Sequence, residues 1–231
     1  RGTLTENRMQ VTDIALMDVE IDLESGAEIV MTEALAALIE TIVSCNSADL
    51  DTADGAVGDA TEIALLQIGR RLGRDVSADT REKQRTALLH FDPTRKLMSA
   101  IDAGADGARW VHTKGAPELL LARCTEAMDA GGTPVPLTEE QRAAAEAAMN
   151  RYAAEGRRVL GVARRRLDSP PPAARDDVER ELCLLGFVAM LDPPRVEVAD
   201  AVARCHEAGI RIMVVTGDHP LTAARVAACV G

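Results

Sequence analysis

Apolar and polar positions along this 231-residue chain change period several times, and each change marks an element. Residues 9–16 read as a strand and residues 18–27 as an acidic surface loop. From Thr32, placed as a cap, Leu35, Leu38, Ile39, Ile42 and Val43 recur at helical spacing. Residues 49–57 are polar and turn-rich. Gly58 opens a turn into a helix that runs to Leu72 and stops at Gly73. Residues 81–85 are basic and read as exposed, and 87–91 as a strand. Two strand-like runs, 96–101 and 109–113, flank a turn at 102–107 and predict a hairpin. Pro117 suits the first turn of a helix over 118–123.

The second half has the same punctuation. Thr138 and Gln141 stand at capping-box spacing before an alanine-rich helix to Glu155, with Gly156 as its stop. A strand follows at 157–163, then an exposed loop at 169–174 built on Pro170, Pro171 and Pro172. Residues 182–191 are continuously apolar, a length that fits a buried strand and falls far short of the roughly 20 residues a membrane helix needs. Two prolines at 193–194 forbid a helix there and make a natural exit from one domain into another. An amphipathic helix over 196–208 ends at Gly209, and the apolar run 210–215 reads as a parallel strand covered on both faces.

Composition narrows the classes. A hydrophobic content of 47% supports a sizeable core in one large domain or one and a half. The net charge of −11 excludes a general nucleic-acid surface but leaves room for a local basic pocket. Five scattered cysteines, odd in number and without a CxxC pair, read as reduced thiols in a cytosolic setting. His90, His112, His206 and His219 have no metal-ligand spacing, and Asp49, Asp51 and Asp54 lack the closing Glu of a calcium loop. No metal site is expected.

Candidate chemistry gathers at residues 90–99 and 114–118. The hairpin brings Phe91, Lys96 and Lys114 near one another. A ring stacks on a purine and ammonium groups meet phosphates, with no carboxylate needed between them. Gly115 leaves the backbone beside Lys114 open to close approach, and the helix start at Pro117 favours anions. Taken singly, these are solvated lysines and a core Phe. In a chain with two Phe, one Tyr and one Trp, a ring placed beside lysines weighs more. A second candidate is Thr216-Gly217-Asp218, at the carboxyl end of the run 210–215, where open α/β sheets bind ligands.

Seven segments, in order, resemble P-type cation-transporting ATPases, and the calcium-pump branch in particular: GTLT at 2–5, GDATE at 58–62, FxxxRK at 91–96, KGAPE at 114–118, RVL at 158–160, DPPR at 192–195 and TGDHPLTA at 216–223. The resemblance covers essentially the whole chain. It implies an α+β nucleotide-binding domain, an antiparallel sheet with helices at residues 10–190, inserted into a Rossmann-like α/β phosphorylation domain. Of the latter only residues 1–9 and 191–231 would be present, with Asp192, Pro193, Pro194 and Arg195 as hinge. It implies that Glu62 accepts from the adenine amino group, that Phe91 and Leu160 hold the base, and that Lys96, Lys114 and Arg158 approach the phosphates. Thr216, Gly217 and Asp218 would steady the phosphoryl group. The phosphorylated Asp would precede residue 1 and the magnesium motif would follow residue 231, so the chain is expected to bind ATP or ADP without turnover. Mg2+, a membrane domain and an actuator domain belong to the whole pump, which places this part, a monomer by itself, on the cytoplasmic face. One departure stands out: where calcium pumps have an arginine two positions past the Phe, this chain has Pro93.

Two other readings share part of this evidence. A phosphatase of the haloacid-dehalogenase type with a large cap would use the same C-terminal residues but has no need of Glu62, Phe91, Lys96 and Lys114. A nucleotide-binding module without catalysis is the third, and it is what is expected of this chain by itself.

Overall fold

The computed structural model describes residues 4–6, 8–53, 55–103, 107–168, 174–193, 195–213 and 227–228. In chain order the elements are β1 (Gln10–Ala15), β2 (Glu20–Asp22), α1 (Glu33–Ser44), β3 (Asp49–Thr52), β4 (Gly55–Val57), α2 (Ala60–Arg71), α3 (Ala78–Gln84), β5 (Arg85–Asp92), β6 (Leu97–Ala103), β7 (Arg109–Gly115), α4 (Pro117–Leu121), β8 (Cys124–Met128), β9 (Pro134–Pro136), α5 (Glu139–Ala154), β10 (Arg158–Leu167), α6 (Arg175–Val178), β11 (Leu182–Leu191) and α7 (Val196–Glu207).

An α+β architecture results. The main sheet runs β2-β1-β11-β10-β7-β6-β5, antiparallel throughout, with β8 added parallel to β11 and β9 on β8. Helices α1 and α2 cover one face and α4 and α5 the other, so two cores flank the sheet. This explains the apolar run of β11. Cys183 and Leu185 face α1 and α2, and Leu182 and Leu184 face the opposite core. After Gly186 the parity switches, with Phe187 and Ala189 joining Leu184's side. The switch is a bulge: Ala163 on β10 pairs with Leu184 while Val162 pairs with Gly186. Only glycine fits there, since its φ is +142° and a Cβ would lie 2.2 Å from the Ala15 carbonyl oxygen.

Helix boundaries follow the sequence signals. Thr32 accepts from Leu35 N at 3.2 Å, and Thr138 and Gln141 form the reciprocal capping box. Gly73, Gly156 and Gly209 follow their helices with positive φ. Four expectations need correction. The acidic segment 18–27 contains β2, which pairs with β1. The polar segment 49–57 forms the two-stranded β3–β4 sheet. Arg81 is buried rather than exposed, because its guanidinium donates to the carbonyls of Asn46 at 2.8 Å, Ala48 at 2.5 Å and Val76 at 3.3 Å. Residues 210–213 form no strand and leave Ile210, Ile212 and Met213 exposed. A parallel strand needs neighbours to pair with, and no described strand lies beside this run.

At the chain's crossing into the candidate hinge, two segments lie side by side. Glu6 N donates to Pro193 O and Arg195 N to Leu4 O, both at 2.9 Å. Asp192 accepts from Thr5 Oγ1 at 2.7 Å and from Arg8 N at 3.1 Å. Pro194, Thr216, Gly217 and Asp218 lie outside the described residues. Among the described residues, no helix is long and apolar enough to cross a membrane.

Candidate functional site

Beside the open end of the β5–β6–β7 hairpin lies a cleft of about 620 Å³. Glu62, Phe91, Lys96, Lys114, Gly115, Arg158 and Leu160 all line it. They come from α2, β5, the β5–β6 turn, β7 and β10, so segments up to a hundred residues apart converge as the sequence reading expected.

The floor is built from a loop and a helix start. Arg81, together with Arg85, whose guanidinium donates to Ser44 O at 2.7 Å and Asn46 O at 2.6 Å, holds the chain just past α1. Buried Asn46 then donates to Glu62 O at 3.0 Å and accepts from Ala48 N at 2.9 Å. That arrangement sets Ser47 against Glu62, whose carboxylate accepts from both the Ser47 hydroxyl and the Ser47 amide. Lys114 completes the group, its Nζ 2.7 Å from Glu62 Oε1 with both side chains buried.

A carboxylate therefore stands beside Lys114, supplied by α2, which the hairpin reading of β6 and β7 did not include. Burial alone would raise the Glu62 carboxyl; the Lys114 charge and the donors of Lys114 and Ser47 outweigh it and hold the group below its usual range. Asp59, the N-cap of α2, behaves alike: burial raises it, but Thr61's hydrogen bonds and the charge of Arg158 keep it low. Behind Lys114, Cys45 is fully buried and burial pushes its thiol to about 11, so it stays protonated and inert. All four described cysteines are free.

The walls differ in character. Phe91 leaves 58% of its surface exposed, an unusual exposure for a ring flanked by structured backbone. A register shift between Leu89 and Asp92 turns His90 and Phe91 together into the cleft. Lys96 sits at φ +52°, held by its amide donating to Asp92 O at 2.6 Å. Gly115 has a role other than admitting a ligand: a Cβ there would lie 2.2 Å from the Lys96 carbonyl oxygen. The close approach it allows is that of the Lys96–Leu97 backbone. Arg95 does not take the place left by Pro93; its guanidinium engages both carboxylate oxygens of Asp176 outside the cleft.

Ser47, Asp59, His90 and Met98 also line the cleft; sequence reasoning left Ser47 out and had Asp59, His90 and Met98 only as members of the candidate segments, without a role of their own. Asp59 was signalled by its place before Ala60-Thr61-Glu62, as a cap. Ser47 carried no local signal, because only the buried arginines and Asn46 bring it there.

Comparison with known proteins bears on the whole arrangement. A family model described as the P-type ATPase cytoplasmic domain N matches residues 34–197. The chain belongs to this family. It is 36% identical over 226 residues to calcium-transporting ATPase 1 of Bacillus cereus, covering 98% of this chain and 25% of that protein. It is 30% identical over 230 residues to a calcium-transporting ATPase of Listeria monocytogenes, covering 100% and 26%. It is also 32% identical over 255 residues to potassium-transporting ATPase alpha chain 2 of Homo sapiens, covering 100% and 24%. The N-domain chain thus spans about a quarter of the length of these relatives.

Proposed function

We propose that this N domain binds ATP in the Phe91 cleft and belongs to a pump that couples ATP hydrolysis, through an aspartyl-phosphate, to cation transport. The observation that carries the reading is the convergence of Glu62, Phe91, Lys96, Lys114, Arg158 and Leu160 on one cleft of about 620 Å³, a volume suited to a nucleotide. The exposed Phe91 ring takes one face of the purine, with Leu160 opposite. A carboxylate accepts about four hydrogen bonds. Ser47 and Lys114 supply three to Glu62, which leaves a place for the exocyclic amine of adenine. Lys96 and Arg158, both exposed, meet the phosphates, while Lys114 is shared with Glu62. Mg2+ in this reading accompanies the phosphates of ATP rather than a protein cage.

The same reading assigns residues 1–9 and 191–231 to a Rossmann-like phosphorylation domain and residues 10–190 to the nucleotide-binding insertion. The pairing of residues 4–6 and 8 with 192, 193 and 195 supports it, since an inserted domain leaves and re-enters its host at one place. Asp192, Pro193, Pro194 and Arg195 are then the hinge, Thr216, Gly217 and Asp218 the phosphoryl-site support, and the pump's membrane and actuator domains the partners. The relatives named calcium- and potassium-transporting support a cation as the cargo. Calorimetric titration with ATP tests the assignment: saturable binding that weakens in Phe91→Ala upholds it, and equal curves for both proteins reject the cleft.

A further inference from the structure

The ring of Phe91 faces the cleft because the β5–β6 ladder is broken beside it. Leu89 pairs with Ser99 and Asp92 with Leu97, so three steps on β5 oppose two on β6. Such a bulge leaves ladder carbonyls without their strand partners and needs something to hold it. Arg175, at the start of α6, supplies that hold. Its Nη1 donates to His90 O at 3.0 Å and its Nη2 to Leu97 O at 2.9 Å, one carbonyl on each side of the break. Its Nε donates to Glu179 Oε1 at 2.9 Å, and this fully buried carboxylate also accepts from Ser99 Oγ at 2.8 Å. The guanidinium is thus locked in orientation from behind while its two forward donors span the bulge.

We infer that Arg175 is a positioning residue for nucleotide binding, holding the bulge that presents Phe91 to the cleft, although Arg175 itself does not line it. The inference deepens the ATP reading and rests on it for its functional part. A lysine at this position would keep the charge facing Glu179 but could not bridge two carbonyls in fixed geometry. The bulge would then sample other registers, and the ring would lose its set direction.

Having only two Phe makes the test direct. Fluorine-labelled phenylalanine gives one resonance for exposed Phe91 and one for Phe187, 3% exposed in the core beneath α5. In the ligand-free 231-residue chain, Arg175→Lys is expected to shift or broaden the Phe91 resonance and leave Phe187 in place. ATP binding should weaken about three- to tenfold, part of what a base–aromatic stack contributes. In a Phe91→Ala background the same substitution should cause no further loss. An unmoved Phe91 resonance, or a loss of affinity undiminished by Phe91→Ala, overturns the inference. Parallel movement of both resonances assigns Arg175 to general stability and overturns it too. Arg175→Gln gives the same readouts should Arg175→Lys not fold. Failure of the wild type to bind ATP sinks the nucleotide reading, while the fluorine resonances still decide whether Arg175 sets the ring.

Discussion

Lys114 carries two loads, and removing it separates them. At 2.7 Å from Glu62 and an effective dielectric of about 20, the attraction is roughly 6 kcal/mol before desolvation is subtracted. Breaking a buried pair from one side costs about 3–5 kcal/mol, because the remaining charge is stranded. Ser47's donors stay on Glu62 and the cleft admits water, so Lys114→Met should sit at the low end, about 3 kcal/mol at pH 7. The pH dependence should reverse as well. In the wild type Glu62 is held below its ordinary value of 4.5, so its contribution is present above that pH and lost as pH falls through the folded value. Without Lys114 burial becomes the leading influence and raises the group, so the variant should lose stability as pH rises through and beyond 4.5. Urea unfolding of wild type and Lys114→Met between pH 3.5 and 7 reads both. Adding Glu62→Gln to Lys114→Met should restore about half or more of the loss, since no charge is then stranded. A loss under about 1 kcal/mol at pH 7, or one equal at both ends of the pH range, would refute this account of the pair.

Two further outcomes follow from the cleft. With Pro93 in the turn and Arg95 turned to Asp176, few phosphate contacts are expected, so Phe91→Ala, at about 1–3 kcal/mol for a stacked base, should cost more ATP affinity than Arg158→Ala, and AMP should retain much of the ATP affinity. Titration of ATP, ADP and AMP at fixed salt checks this, and binding of ATP without AMP reverses the ranking. Gly115→Ala should destabilise the domain by about 1–3 kcal/mol and displace Lys96, because its Cβ meets the Lys96 carbonyl; a melting temperature equal to wild type would show that the β6–β7 pairing gives way freely.

What could be read from the sequence was what local rules govern. Thr32, Thr138, Gly73 and Gly156 announced helix ends through side-chain and backbone chemistry that acts within four residues. The run at 182–191 announced a buried strand, and the structure buries it on both faces. Beyond Phe91, Lys96 and Lys114, which the hairpin brought together, the cleft residues were legible only as a set of ordered motifs, whose resemblance joined segments no periodicity could join. Arg81 misled because its charge predicts exposure, whereas the carbonyls it caps come from residues 46–48, far away in sequence. The pairing of Lys114 with Glu62, 52 residues away, had no local signal either. Arg175 gave no signal, since the carbonyls it bridges become available only through a register shift between two other strands.

ATP is expected to occupy the Phe91 cleft. Amide chemical shifts of the 231-residue chain, followed through an ATP titration, test it most directly. Saturable shifts are expected, with affinity near millimolar or about −4 kcal/mol, centred on Ser47, Glu62, Phe91, Lys96, Lys114 and Arg158. Shifts that centre instead on the separate cleft of Trp110 and Arg164, or that never saturate, would contradict it.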